Sequence, residues 1–131
     1  GMPSSFMSAE RFSLADQRSA IAPSTAEMSE PARIANFAAA VMGLHPGLIR
    51  RAILMRAMAA LEDLPQADLA GVSALTLTGA RDPYGPHAPR LNEWLAAQGA
   101  ALDARVVQAG HDIVADDLTA AAEWMQGVTN A

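Results

Sequence analysis

The stretch from Val72 to His111, VSALTLTGARDPYGPHAPRLNEWLAAQGAALDARVVQAGH, decides the fold class of this chain. Ser73 to Thr78 is a short apolar and β-branched run ending at Gly79. Ala104 to Gln108 is a second run ending near Gly110, so both read as strands that stop at glycine-marked loops. Between them Leu91, Trp94 and Leu95 recur at helical spacing, with Pro86 and Pro89 near the start of the segment and Gly99 after its end. The pattern predicts a helix over 88–98. A strand, a helix and a returning strand make a right-handed parallel unit, which carries both strand ends to one edge of the sheet. Asp82 follows the first strand and His111 the second. The topology therefore brings these two residues to the edge where α/β folds place their chemistry.

Composition narrows what that chemistry can be. With 131 residues the chain is one domain, and with 51% apolar and 18% charged residues it is able to bury a core. A net charge of −5 without a basic cluster argues against nucleic acid as a partner. Cysteine is absent, which removes disulfides, thiol catalysis and thiolate metal sites together. All nine cationic residues are arginine. A Schiff-base enzyme and a P-loop nucleotide site each need a lysine, so both are excluded. No run has the length of a membrane span or the layout of a signal peptide, which points to the cytoplasm, and Gly1-Met2 reads as a scar of expression. The three histidines show no HxH or HExxH spacing, so no metal site and no cofactor is expected.

Outward from the deciding stretch, residues 1–31 are rich in Ser, Pro and Met without a sustained period. They read as a poorly ordered N-terminal segment, in which Ser13 to Ser19 has the pattern of a short helix start. The domain proper is expected over 32–131. From Ala32 to Met42 the residues Ile34, Phe37, Ala38 and Val41 share one helical face, and Gly43 with Pro46-Gly47 ends the helix. Arg51 to Met58, RAILMRAM, reads as a buried strand, and 59–71 as a loop with one helical turn. A last helix is expected over Asp116 to Gln126, capped by Asp116 or Asp117, with Leu118, Ala121, Ala122 and Met125 facing inward. The sum is α-β-α-β-α-β-α: an α/β fold in three layers, a short parallel sheet of three strands flanked by helices.

Taken alone, the two edge residues admit plain readings. Asp82, between Gly79 and Pro83, suits an aspartate that braces its own turn through an Asx hydrogen bond. His111 after Gly110 suits a loop histidine bonded to backbone. His45 in LHPG reads as a helix-end residue, His87 as a solvated one, and Met42, Leu44, Met55 and Met58 as core.

Four pieces together carry a family resemblance: ANFAAAVMGLHPGLIRRAILMRAM (35–58), DLAGVSALTLTGARDPYGP (68–86), the amphipathic helix at 88–98, and ARVVQAGHDI (104–113) with the helix after it. In order and spacing they resemble the C-terminal half of an α/β-hydrolase of the small carboxylesterase/lysophospholipase-like group. The resemblance implies that Asp82 is the acid and His111 the base of a Ser-His-Asp triad. It also implies a nucleophile in a G-x-S-x-G elbow upstream. The corresponding residues here are Glu30-Pro31-Ala32-Arg33-Ile34, so Ala32 stands at the nucleophile position and both glycines are replaced. A small-x-Ser-x-small pattern at Ala22-Pro23-Ser24-Thr25-Ala26 offers Ser24 as a substitute.

Two function classes follow from the resemblance. One is a degenerate or truncated hydrolase domain, non-catalytic as this chain. The other is a serine hydrolase of small carboxylic esters or lysophospholipids, with Ser24 or a partner chain supplying the nucleophile. The strand that should flank Arg51–Met58 on its other side is missing from the pattern, so an open sheet edge and a homodimer formed through it are expected.

Overall fold

The computed structural model describes residues 29–130. The Ser13–Ser19 helix, Ser24 and the expected N-terminal segment up to residue 28 lie outside the described residues.

Helix α1, Glu30–Leu44, starts where its sequence provides for the free amides of a helix terminus. Ser29 is the N-cap and its Oγ accepts the Ala32 N–H at 3.4 Å, while Pro31 and the acidic Glu30 occupy the first turn. Strand β1 is Arg51–Met55, β2 is Ser73–Gly79 and β3 is Ala101–Val107. They form one three-stranded sheet in the order β1-β2-β3, parallel throughout, with Arg51 opposite Ser73 and Ser73 opposite Ala101. A short 3₁₀ turn, Gly85–His87, leads into α2, Ala88–Ala97, and α3 runs from Ala115 to Asn130.

Alternation along the strands sorts the core to two faces. Leu54 and Ala74 pack with Ala35, Ala39 and Met42 of α1 and with Leu91, Trp94 and Leu95 of α2. On the opposite face Leu75, Leu77 and Val107 pack with Ala109 and with Ala120 of α3, and Ile53, Met55 and Trp124 border them. This is the expected three-layer arrangement. Leu91 and Leu95, both essentially inaccessible, each contribute about 1.5–3 kcal/mol by leaving water.

Several expectations need correction. Strand β1 stops at Met55 rather than Met58, because Arg56 turns the chain with φ at +58°. Strand β3 begins at Ala101, since it pairs with β2 from Ser73 onward. No helical turn forms over 59–71: that connection gives its backbone groups to α2 instead. Pro65 O accepts the Trp94 indole N–H at 2.8 Å, the Ala67 N–H reaches Gln98 Oε1 at 2.8 Å, and the Leu69 N–H reaches Gln98 O at 2.9 Å. The inward faces of α1 and α3 also differ. Ile34 and Phe37 are 65% and 71% exposed, and α1 buries the small stripe Ala32, Ala35, Ala39 with Asn36, whose Oδ1 accepts the Met58 N–H at 2.8 Å. In α3, Leu118 and Met125 are exposed while Asp117 and Ala120 are buried. Asp117 closes the helix start from inside, its Oδ2 accepting the Val114 N–H at 2.8 Å as in the second half of a capping box.

Candidate active site

The ends of β2 and β3 are stitched together before any side chain is considered. Past Gly79 the N–H of Ala80 bonds to Val107 O at 2.8 Å, and that of Arg81 bonds to Ala109 O at 2.9 Å. The close approach depends on Gly79, where a Cβ would stand 2.2 Å from Gly110 O. The Asp82 N–H then turns back to Gly79 O at 3.1 Å and the Gly85 N–H to Asp82 O at 2.9 Å, which fixes the acidic loop as a tight turn.

Both plain readings of Asp82 and His111 hold at the same time as the paired one. Asp82 Oδ1 accepts the Tyr84 N–H at 2.9 Å, which is the Asx brace, and Asp82 Oδ2 meets His111 Nδ1 at 2.9 Å. The other ring nitrogen, Nε2, accepts the backbone N–H of Ser29 at 3.0 Å. An imidazole nitrogen that accepts carries no proton, so Nδ1 holds the ring proton and donates it to Asp82. Asp82 is buried, the His111 side chain is 15% exposed, and the Tyr84 ring lies tilted against the imidazole with centroids 4.9 Å apart. A buried carboxylate on Nδ1, with Nε2 left unprotonated as an acceptor, is the orientation in which a histidine takes a proton from a nucleophile.

The segment matched to the nucleophile elbow has a different conformation. Residues 30–34 form the first turn of α1 with ordinary helical hydrogen bonds, the Arg33 N–H reaching Ser29 O at 3.0 Å. The Ala32 side chain is fully buried against Met58, with Tyr84 at the margin of that contact. Among the described residues Arg56 is the one non-glycine with positive φ, so the strain of an elbow is not located at 30–34. His45 caps the end of α1 through its backbone N–H to Val41 O at 2.8 Å, and His87 closes the 3₁₀ turn.

Sequence reading passed over two residues that touch this site. Ser29 is one, and the Ser-Glu-Pro start of α1 is its signal as an N-cap. Arg56 is the other, a cation placed directly after the apolar run of β1 and 2% exposed. It pairs with Asp117 at 2.7 Å, both side chains being fully buried. Burial pushes the Asp117 carboxyl up, but the Arg56 guanidinium and the Val114 N–H outweigh it and hold the group below the ordinary carboxylate range.

Of the solved structures similar to this chain in fold, two are carboxylesterases. A carboxylesterase from Mesorhizobium loti is 42% identical, with a TM-score of 0.69 over 71% of this chain and 45% of its own. The Bacillus cereus carboxylesterase shares the fold at 24% identity and a TM-score of 0.67, over 71% of this chain and 45% of its own. A protein of unknown function from Agrobacterium tumefaciens matches at 27% identity and a TM-score of 0.62, over 71% and 47%. The chain thus spans less than half the length of each. No protein-family model and no curated protein matches the sequence. Among the described residues no helix is long and apolar enough to cross a membrane.

Proposed function

From a chain with the fold of the C-terminal half of a carboxylesterase-like α/β-hydrolase, we propose that Asp82 and His111 are the acid and base of a serine-hydrolase triad that has lost its nucleophile. In that role His111 Nε2 would take the proton of an attacking serine hydroxyl, and Asp82 would fix the tautomer and stabilise the imidazolium. The observation that carries the loss is what Nε2 meets instead. Its lone pair is engaged by the Ser29 amide at 3.0 Å, and Ala32 is buried inside a regular helical turn. An acid–base pair with no nucleophile to activate gives up several orders of magnitude of rate, so the polypeptide is non-catalytic by itself.

The test is hydrolysis of p-nitrophenyl acetate by the purified chain and by its His111→Ala variant. Equal rates support the reading. Faster turnover by the unsubstituted chain would reverse it.

The intact 2.9 Å contact between His111 Nδ1 and Asp82 Oδ2 favours a second reading. In it the chain hydrolyses small carboxylic esters or lysophospholipids with Ser24 or a partner chain as nucleophile source. Fluorophosphonate labelling that disappears in Ser24→Ala would establish that reading for Ser24.

We further infer a homodimer. Strand β1 lies at the edge of the sheet, and among the described residues no strand pairs with its outer side. Its stretch from Ala52 to Met55 has no charge to block pairing. Ile34 and Phe37 of α1 and Leu118 and Met125 of α3 are exposed apolar side chains available for burial in such a contact.

A further inference from the structure

Resting on the reading of Asp82 and His111 as an acid–base pair, we propose that Arg56 is the positioning residue that holds His111 in place. His111 sits in the irregular stretch between β3 and α3, where the loop makes few backbone bonds to itself. Besides the Arg81 N–H on Ala109 O and the bonds of the imidazole itself, the backbone around His111 is held by one buried guanidinium. Arg56 Nε donates to Gly110 O at 3.0 Å and Nη2 to Asp112 O at 2.9 Å, so the carbonyls immediately before and after His111 are both gripped.

The remaining N–H groups anchor the clamp itself. Nη1 reaches Asp117 Oδ1 at 2.7 Å and Leu77 O at 3.4 Å, and Nη2 reaches Asp117 Oδ2 at 2.8 Å. All donors of the planar fork are thereby used, toward β2, the histidine loop and α3 together. The backbone is committed as well: Arg56 adopts φ +58°, where a non-glycine residue is disfavoured, and its N–H bonds to Leu77 O at 2.8 Å. A lysine has neither the fork geometry nor enough donors to do this. Arg56 touches no reacting atom. Its role is to set where the His111 ring stands relative to Asp82.

The test is nitrogen-15 NMR of the His111 ring at alkaline pH, where the imidazole is neutral, in the full chain. In the unsubstituted protein the Nδ1–H form should predominate, with a downfield, slowly exchanging proton shared with Asp82. Arg56→Lys, and the double variant Arg56→Met with Asp117→Leu, which replaces the ion pair by apolar groups, should lose that resonance and move the tautomer ratio several-fold toward Nε2–H. A folded double variant that keeps both signatures would overturn the proposal. If neither variant folds, exchange of the Arg56 Nε–H in the unsubstituted protein decides: protection equal to core amides supports the clamp, and rapid exchange refutes it. Absence of the downfield proton in the unsubstituted protein, or its persistence in Asp82→Ala, would refute the acid–base pair instead.

Discussion

A side chain on Gly79 cannot coexist with the carbonyl of Gly110: an added Cβ would lie 2.2 Å from that oxygen and 2.7 Å from Ala109 O. The contact is backbone against backbone, so no rotamer can relieve it. This approach is what brings the turn bearing Asp82 against the loop bearing His111. Gly79→Ala should therefore cost about 1–3 kcal/mol, the usual range for overpacking, and should also disturb the Asp82–His111 bond. Urea unfolding gives the first quantity and the His111 ring spectrum the second. A variant as stable as its parent, with an unchanged ring spectrum, would contradict the geometry.

On the proposed assignment of Ala32 to the nucleophile position, Ala32→Ser should not confer esterase activity. The residue occupies the first turn of a regular helix, buried against Met58, and its own N–H is spent on Ser29 Oγ at 3.4 Å. A hydroxyl there gains no strained turn to present it and meets a histidine whose Nε2 is already engaged. Rates on p-nitrophenyl acetate should match the parent chain. A burst of nitrophenol would show that the helix start rearranges.

Asp117 makes stability depend on acid. Its folded carboxyl titrates below the ordinary value of about 3.9 for the unfolded chain. The unfolded state therefore binds the proton first, and the contribution is complete above that unfolded value and lost as pH falls through the folded one. Urea midpoints at pH 7 and pH 3 should fall further for the parent than for Asp117→Asn. At pH 7 the substitution should cost about 3–5 kcal/mol, because it leaves the buried Arg56 charge without its partner. An equal pH response in both proteins would remove Asp117 from the account.

Light scattering at micromolar concentration tests the edge of β1. A dimer mass is expected from pairing through Ala52–Met55. A stable 13.7 kDa monomer would mean that the edge is covered or blunted within the chain.

Much of this arrangement was legible in the residues, for reasons that also explain what was not. The β-branched run before Gly79 and the Leu91, Trp94, Leu95 spacing report burial directly, and both elements stand where the pattern placed them. The faces of α1 and α3 were misread because hydrophobic periodicity assumes that the largest apolar residues point inward. Here α1 approaches β1 through alanines and spends a buried position on Asn36, and α3 spends one on Asp117. Polar groups become good core residues only when partners from distant segments satisfy them, and a linear pattern does not contain those partners. Arg56 was hidden in the same way: within RAILMRAM it reads as one more residue of a buried strand until Gly110, Asp112 and Asp117 are brought to it.

The connection between β1 and β2 has a kinetic consequence. Its amides at Ala67 and Leu69 are held by Gln98, and its Pro65 carbonyl by Trp94, so it borrows its order from the far end of a helix that follows β2 in the chain. Such a segment has no local nucleus of its own. It can settle only after about thirty residues of later chain have docked, which raises the sequence separation that folding must span and slows it. Opening runs the same route backward. Release of the last turn of α2 frees the connection at once, so the Ala67 and Leu69 amides exchange with solvent as members of the α2 cooperative unit rather than as loop amides.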